Sequence, residues 1–556
     1  MDLGNWYEGA AAASVATTLA VTVLSYLWWK RSENARARNF VRGGPGSTLP
    51  SPVPALPRWC GFVGGHTMLI KKGKFVEQME TWAQEYGGDY EVHIAGARAI
   101  CVTGLPDIRR ILTLRPSKFR RGLVTKHLSW ASGQVGLNDS MFFEEGKAWG
   151  RSRRLISPHL NGHKVVDMLP VMSKMGERLC NKLGASADAG QVVDARETFA
   201  RFTHEIIALA AFGVDVGCIT ATAERPCHSY HAIEVITSAF GRLNRMPHNI
   251  LEWKFLPMMP WVRFTKENSR RLRSVIQGAI DAVRLEDDAA APAAERDVGT
   301  GGTLLRKIIR STGGKEGTSS SSSDRMLLSD QEVMHEATSL FIAGTETTAL
   351  TLCWAMYYLS KHPEAILRCR AEALKTAPSS DGMVSTSEQL SQLEFCSAVF
   401  KEALRLRTPA PLLAFNCTED ITLKTGIVLE KGTGAFVLMR AVGVSDKFFT
   451  RAKEFVPERW IEAEREEALL GKRGPVDGKS SVAHEAEAFL SLGHGPRICP
   501  GQDMAKAEGA IIIAAICARF DISMAPGQTD PPEEYTAFTS GPKELGLIFT
   551  PIKKAD

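Results

Sequence analysis

The chain has 11 cysteines in 556 residues, yet no Cys-x-x-Cys pair and no evenly spaced cysteine framework. That excludes a disulfide-stapled scaffold and reads as a reduced, cytosol-facing protein. An excess of either charge is also lacking: the formal balance is only +5, and no basic array interleaved with aromatics occurs, so nothing supports a nucleic-acid partner. No flavin- or nicotinamide-binding segment is present, and few linkers interrupt the sequence after Pro57. With 44% hydrophobic and 23% charged residues the chain can bury a large core. The expected architecture is mainly α with small β-sheets, as a single large unit over residues 58–556 behind an N-terminal membrane segment.

That segment is Gly9 to Trp29, a run of 21 residues without a charge, about 31 Å long as a helix and matched to a bilayer core. Asp2 and Glu8 precede it, whereas Lys30, Arg31, Arg36, Arg38 and Arg42 follow, so the positive-inside rule puts the body in the cytosol. A cleaved secretory signal wants positive charge ahead of the apolar run, and a mitochondrial presequence wants arginines without acids. The expectation is an anchor at residues 1–30 and a basic, proline-rich linker at 31–57, stiffened by Pro45, Pro50, Pro52, Pro54 and Pro57. Lys74 to Tyr86 then reads as an amphipathic helix and Tyr90 to Val102 as short strands. Residues 287–302 and 313–324 are low-complexity and read as exposed loops, and 461–487 as a charged insertion.

The most informative stretch is Ser491-Leu492-Gly493-His494-Gly495-Pro496-Arg497-Ile498-Cys499-Pro500-Gly501. Its glycines and prolines predict a tight loop holding Cys499 in one orientation, with a helix following from about Gln502 to Phe520. Backbone N–H donors and a helix N-terminus suit Cys499 as an anionic sulfur ligand for a metal. Arg497 adds a fork that suits a carboxylate beside that metal, and Gly501 leaves room for a flat cofactor.

This loop resembles the haem-binding signature of the cytochrome P-450 family, in which an aromatic residue, a glycine, an arginine, the cysteine and a second glycine recur in order. The resemblance implies haem b with Cys499 as axial ligand to its iron, and Arg497, Gly493 and Gly501 around it. It departs at Leu492, where the family carries an aromatic ring; Phe489 lies too far back to stand in register.

Ser329, with Glu332 at capping-box spacing, opens a long helical pattern that His362-Pro363 stops. Its middle, Ala343-Gly344-Thr345-Glu346-Thr347-Thr348, is costly for a helix interior. A Thr347 hydroxyl bonded to the Ala343 carbonyl would open or bend the helix there. The segment resembles the family's oxygen-activating motif, which implies Glu346 and Thr347 as the catalytic proton relay.

Trp149 and Arg153 share a face if 144–156 is helical. On their own they read as a surface cation–π pair; the resemblance implies a propionate-binding pair. Arg120, Arg121, Lys126, Lys147, Arg151 and Arg154 nearby form either a docking face for an acidic electron donor or a solvated charge run. Glu402 and Arg405 share a face of the helical stretch 391–406, and Pro457-Glu458-Arg459-Trp460 follows; the resemblance implies a buried ion network of Glu402, Arg405 and Arg459. A turn is expected at Ser540-Gly541-Pro542, and the resemblance implies that it sends a hairpin tip near the substrate.

Taken together, the resemblance implies a membrane-anchored monooxygenase of the endoplasmic reticulum acting on a lipophilic small molecule with O2, fed by an NADPH-dependent flavin reductase. A haem-thiolate isomerase, dehydratase or peroxygenase is the alternative within the family, and Glu346 with Thr347 argues against it. A non-catalytic haem sensor or carrier is the alternative outside catalysis.

Overall fold

The computed structural model describes residues 70–71, 73–94, 97–121, 139–222, 224–243, 256–289, 303–310, 328–378, 381–461 and 487–552. The expected membrane segment, the proline linker, most of both low-complexity stretches, the charged insertion and Lys126 lie outside the described residues. Among the described residues no helix is long and apolar enough to cross a membrane.

Helices of nine residues or more are α1 (Phe75–Glu85), α2 (Leu105–Thr113), α3 (Gly146–Ile156), α4 (Leu169–Asp188), α5 (Ala195–Ile206), α6 (His228–Leu243), α7 (Pro260–Ala289), α8 (Asp330–Lys361), α9 (Pro363–Thr376), α10 (Glu394–Leu406) and α11 (Gln502–Arg519). Among the described residues twelve short strands accompany them: β1 (Tyr90–Ile94), β2 (Ala97–Val102), β3 (Phe119–Arg121), β4 (Val193–Asp194), β5 (Leu412–Cys417), β6 (Ile421–Thr422), β7 (Val428–Leu429), β8 (Gly434–Leu438), β9 (Phe520–Met524), β10 (Glu534–Thr536), β11 (Ser540–Pro542) and β12 (Gly546–Pro551). The largest sheet has the order β1-β2-β8-β5-β3, antiparallel except for the parallel β2–β8 pair. A second has the order β4-β12-β9, and β6-β7 and β10-β11 stand as two-stranded pairs.

Two helices form the axis of the core. In α11 every residue from Ala507 to Ala518 is buried, and in α8 every residue from Thr348 to Tyr357, so each is apolar around its circumference where other helices enclose it. Ser329 caps α8 as expected, its side chain accepting from the Glu332 N–H while Glu332 reciprocates. Over 32 residues α8 extends about 48 Å.

Three sequence expectations are corrected. The helix at 391–406 begins at Glu394, because a separate turn, Ser387–Ser391, has its own Thr386–Gln389 capping box. Ser540–Pro542 is a strand rather than a turn; the reversal falls at Ala537–Thr539, where the Ala537 N–H bonds the Thr539 carbonyl at 3.0 Å. The helix α8 runs unbroken through Ala343–Thr348. Its glycine serves a helix crossing, since a Cβ on Gly344 would lie 3.1 Å from Ile207 Cδ1 at the end of α5.

The crossing of α10 and α11 is tighter still: a Cβ on Gly509 would sit 2.2 Å from the Phe400 ring. Gly509→Ala is therefore expected to cost about 1–3 kcal/mol by overpacking. Thermal unfolding followed by circular dichroism checks this, with an unchanged midpoint counting against so close a crossing.

Candidate haem-thiolate site

The cysteine loop is closed by its own backbone. The Gly493 N–H donates to the Leu490 carbonyl at 2.7 Å, and the Cys499 N–H to the Leu492 carbonyl at 2.8 Å, around a short 3-10 turn at Gly495–Arg497. Gly493 (φ +84°) and Gly495 (φ +72°) occupy the left-handed region that glycine tolerates. A Cβ on Gly495 would also lie 2.7 Å from the Leu112 carbonyl oxygen at the end of α2, so this glycine sets how closely the loop approaches that helix. Gly493 was singled out in the sequence and Gly495 was not, because nothing local marks the α2 contact. Leu492 packs against the main core, and Phe489 turns away onto Trp460, with ring centroids 5.2 Å apart.

Cys499 stands just before α11, partly exposed. Burial pushes its free thiol up, while the Gly501 N–H, Arg153 and Lys506 pull it back down. Burial outweighs the stabilising donors expected from the sequence. A Cβ on Gly501 would meet nothing within 4 Å, so the chain leaves open space beside the sulfur.

Trp149 and Arg153 both reach this region from α3. The guanidinium of Arg497 lies 4.6 Å from the centroid of the Trp149 ring, and Arg153 is near enough to Cys499 for each to feel the other's charge. The cation over Trp149 is thus Arg497, not its helix neighbour. Arg497 also pairs with Glu145 at 2.6 Å and donates to the Glu144 carbonyl.

Two further arginines, unselected as cofactor ligands from sequence, complete the cluster. Arg115 is 6% exposed and lies 4.2 Å from the Phe415 ring centroid, and Arg121 lies 4.2 Å from that of Phe142. Burial and mutual repulsion lower all of them: Arg115 falls to about 10, Arg121 lies well below the usual guanidinium range, and Arg497 is lowered in part by Arg153. Nε and Nη2 of Arg115 and Nε of Arg121 and of Arg497 have no hydrogen-bond partner among the described residues. Three guanidiniums with four orphaned buried nitrogens between them, and Arg153 nearby, call for more negative charge than Glu145 supplies. The two propionates of a porphyrin lying against Cys499 meet that requirement, so the residues present fit haem b.

The basic face expected from sequence is correspondingly smaller. Arg121 turns into the cluster and Arg151 pairs with Glu332, leaving Arg120, Lys147 and Arg154 exposed.

In α8 the Thr347 hydroxyl donates to the Ala343 carbonyl at 2.7 Å, and Thr345 makes the same contact to Phe341 at 2.8 Å. Ala343 is exposed and Thr347 partly exposed in the middle of an otherwise buried helix, so this stripe lines a cleft. Glu346 points elsewhere, toward Thr539 of the β10–β11 reversal and the charge of Arg196; burial raises its pKa, and its Oε2 has no partner. The hairpin thus reaches α8 at the Ala343–Thr348 segment, with Phe538 packed on Phe240 (5.1 Å) and Phe142 (6.1 Å).

Glu402, Arg405 and Arg459 are each fully buried. Glu402 Oε1 accepts from Arg405 Nη2 (2.7 Å), Arg459 Nε (3.0 Å) and the Val456 N–H (3.0 Å). Its Oε2 accepts from Arg405 Nε (2.8 Å) and from Trp460 Nε1 (2.9 Å), a partner the sequence did not reveal. Arg405 donates onward to the carbonyls of Gly443, Ala452 and Glu454, and Arg459 to those of Thr450 and Arg451.

A cysteine fixed on a rigid loop, an anion-seeking arginine cluster beside it and a threonine-notched helix define a haem-thiolate protein. The Cytochrome P450 family model matches residues 54–549, so the chain belongs to the cytochrome P450 family, uses haem b and is a haem-dependent monooxygenase. It is 24% identical to Cytochrome P450 734A2 of Oryza sativa subsp. japonica over 94% of this chain and 91% of that protein. It is 25% identical to cyclooctat-9-en-7-ol 5-monooxygenase of Streptomyces melanosporofaciens over 87% and 90%. Among solved structures, the cytochrome P450DA heme domain superposes with a TM-score of 0.73 at 18% identity, covering 91% of this chain and 98% of that one.

Arg405→Ala leaves the Glu402 carboxylate and Arg459 buried with their geometry broken, at an expected cost of about 3–5 kcal/mol. The variant is expected to purify without haem; haem content by Soret absorbance checks it, and normal loading would contradict a structural role.

Proposed function

We propose that this monooxygenase inserts one oxygen atom of O2 into a lipophilic small molecule, with electrons from NADPH delivered by a separate flavin reductase. We further propose that residues 9–29 anchor it in the endoplasmic reticulum membrane with the catalytic body facing the cytosol. The observation that carries the reading is the exposed Ala343–Thr347 stripe in a buried helix, on the same body as the Cys499 loop and its arginines. The aromatic cluster of Phe142, buried Phe240 and Phe538, the last next to the Thr539 that Glu346 faces, supports an apolar substrate. The uncharged run followed by arginines supports the anchor.

When bound, haem b supplies the reductive activation of dioxygen, with a cysteine thiolate pushing electron density toward O–O cleavage. Cys499 would hold it from one side, and Arg115, Arg121, Arg153, Arg497 and Trp149 would orient its propionate edge. The Thr347 hydroxyl gives its hydrogen to Ala343 at rest, which leaves its oxygen to accept from a hydroxyl or water in the cleft. Rotating that hydrogen away lets Thr347 donate instead. Burial raises the pKa of Glu346 and so favours its protonated form, which would make it the next proton carrier; its Oε2 has no partner among the described residues.

Two measurements test this. Reduced protein exposed to carbon monoxide is expected to give the shifted Soret band of thiolate ligation, lost in Cys499→Ala; a histidine-type band would overturn the ligand assignment. Thr347→Ala is expected to bind substrate normally but to lower product formed per NADPH by about tenfold or more, the remainder appearing as peroxide or water. Unchanged coupling would remove Thr347 from the relay.

A further inference from the structure

Behind the oxygen-activating stretch, on the far side of α8 from the cleft, three soft ligands converge that the monooxygenase chemistry does not use. His204 stands in the last turn of α5, Cys218 in the connection that follows, and Cys227 directly before α6. One ligand atom of each lies within 4.8 Å of the others. The two thiols are close enough to interact with each other, and Cys227 with His204, and neither cysteine is in a disulfide. His204 and Cys218 are 0% exposed, whereas Cys227 is partly exposed and gives the cluster a way in from solvent.

The histidine is already in the tautomer that a metal requires. Thr345 spends its hydroxyl hydrogen on the Phe341 carbonyl at 2.8 Å, so toward His204 its oxygen accepts, and Nδ1 at 3.3 Å carries the ring proton. Nε2 is then the bare nitrogen, 2.7 Å from the Ser229 hydroxyl, which in turn lies 3.5 Å from Cys227 Sγ. Metal-bound histidines characteristically donate their second ring N–H to an oxygen in this way, which fixes ring orientation.

From this geometry we infer that His204, Cys218 and Cys227 form a binding site for a thiophilic divalent cation of the zinc class, with Ser229 or a water in the fourth position. One nitrogen and two sulfurs suit that ion and not calcium or magnesium, which take oxygen ligands. Zinc bond lengths put tetrahedral ligand atoms about 3.4–3.8 Å apart, so side-chain rotations of about 1 Å close the set. Binding releases the two thiol protons to solvent and oxidises nothing. The ion would pin the connection after α5 and the start of α6 to Thr345, inside the stretch that carries Glu346 and Thr347. Through Phe240 on α6 it would also steady the aromatic wall at Phe538.

The test uses the haem-loaded full chain, without an affinity tag, reduced, stripped with chelator and then mixed with Zn2+. After desalting, one zinc per chain is expected by elemental mass spectrometry. Zinc is expected to slow alkylation of Cys218 and Cys227 by about tenfold or more, mapped by peptide mass. Cd2+ in its place should give a sulfur-to-metal charge-transfer band. The double variant Cys218→Ser, Cys227→Ser should lose the zinc while keeping its carbon monoxide spectrum. Equal alkylation with and without zinc overturns the site, as does a Cys218–Cys227 disulfide that forms in the presence of zinc. If the double variant fails to take up haem, the protection measured on the unaltered chain decides.

Discussion

Everything on the cysteine side of the molecule hangs from one carboxylate. Glu402 is buried and accepts five hydrogen bonds, from Arg405, Arg459, Trp460 and the Val456 backbone, and so joins α10 to the segment 443–460. The arginines pass the constraint outward by bonding five backbone carbonyls of a stretch with little regular structure of its own. Such a network is costly to assemble and more costly to leave incomplete, since any missing partner strands a charge away from water. Trp460 then packs on Phe489 at the entrance to the cysteine loop, and Phe400 of the same helix packs on Gly509 of α11 behind it. The Glu402 network is thus packed, through Trp460 and through Phe400 of α10, against both segments that flank Cys499.

A second constraint is electrostatic and points the other way. Arg115, Arg121, Arg153 and Arg497 are gathered into a space where burial depresses all four and repulsion from neighbouring arginines adds to it for Arg115, Arg121 and Arg497. The fold holds this unfavourable arrangement in place, and a dianionic cofactor edge relieves it. Cofactor binding and stability of that region are thus linked, and haem is expected to tighten the packing between α3, β3 and the cysteine loop. In the long helix α8, threonines bonded back to carbonyls one turn earlier leave no unsatisfied hydroxyl at 345 and 347, and Gly344 admits Ile207 at the end of α5 close behind.

The amino-acid sequence by itself determined the class of chemistry. Cys499 in its glycine-rich loop, the Ala343–Thr348 segment, the Glu402 and Arg405 pair and the Ser329 cap are local patterns, and local patterns survive in one dimension because their meaning depends on neighbours a few residues away. Helices α1, α8 and α11 and the strands at 90–102 were legible for the same reason of periodicity. What only the tertiary structure decided were the contacts between distant segments. Arg121 read as a surface charge until β3 turned it inward; Gly495 had no distinguishing mark until α2 came within 2.7 Å of its absent side chain; and Trp460 joined the ion network from 58 residues away. His204, Cys218 and Cys227 match no spaced motif, since their convergence arises where a helix end, a connection and a helix start fold over Thr345. Hydrogen bonds and charges are read by distance in space, and sequence spacing reports that distance only within a helix turn or a strand pair.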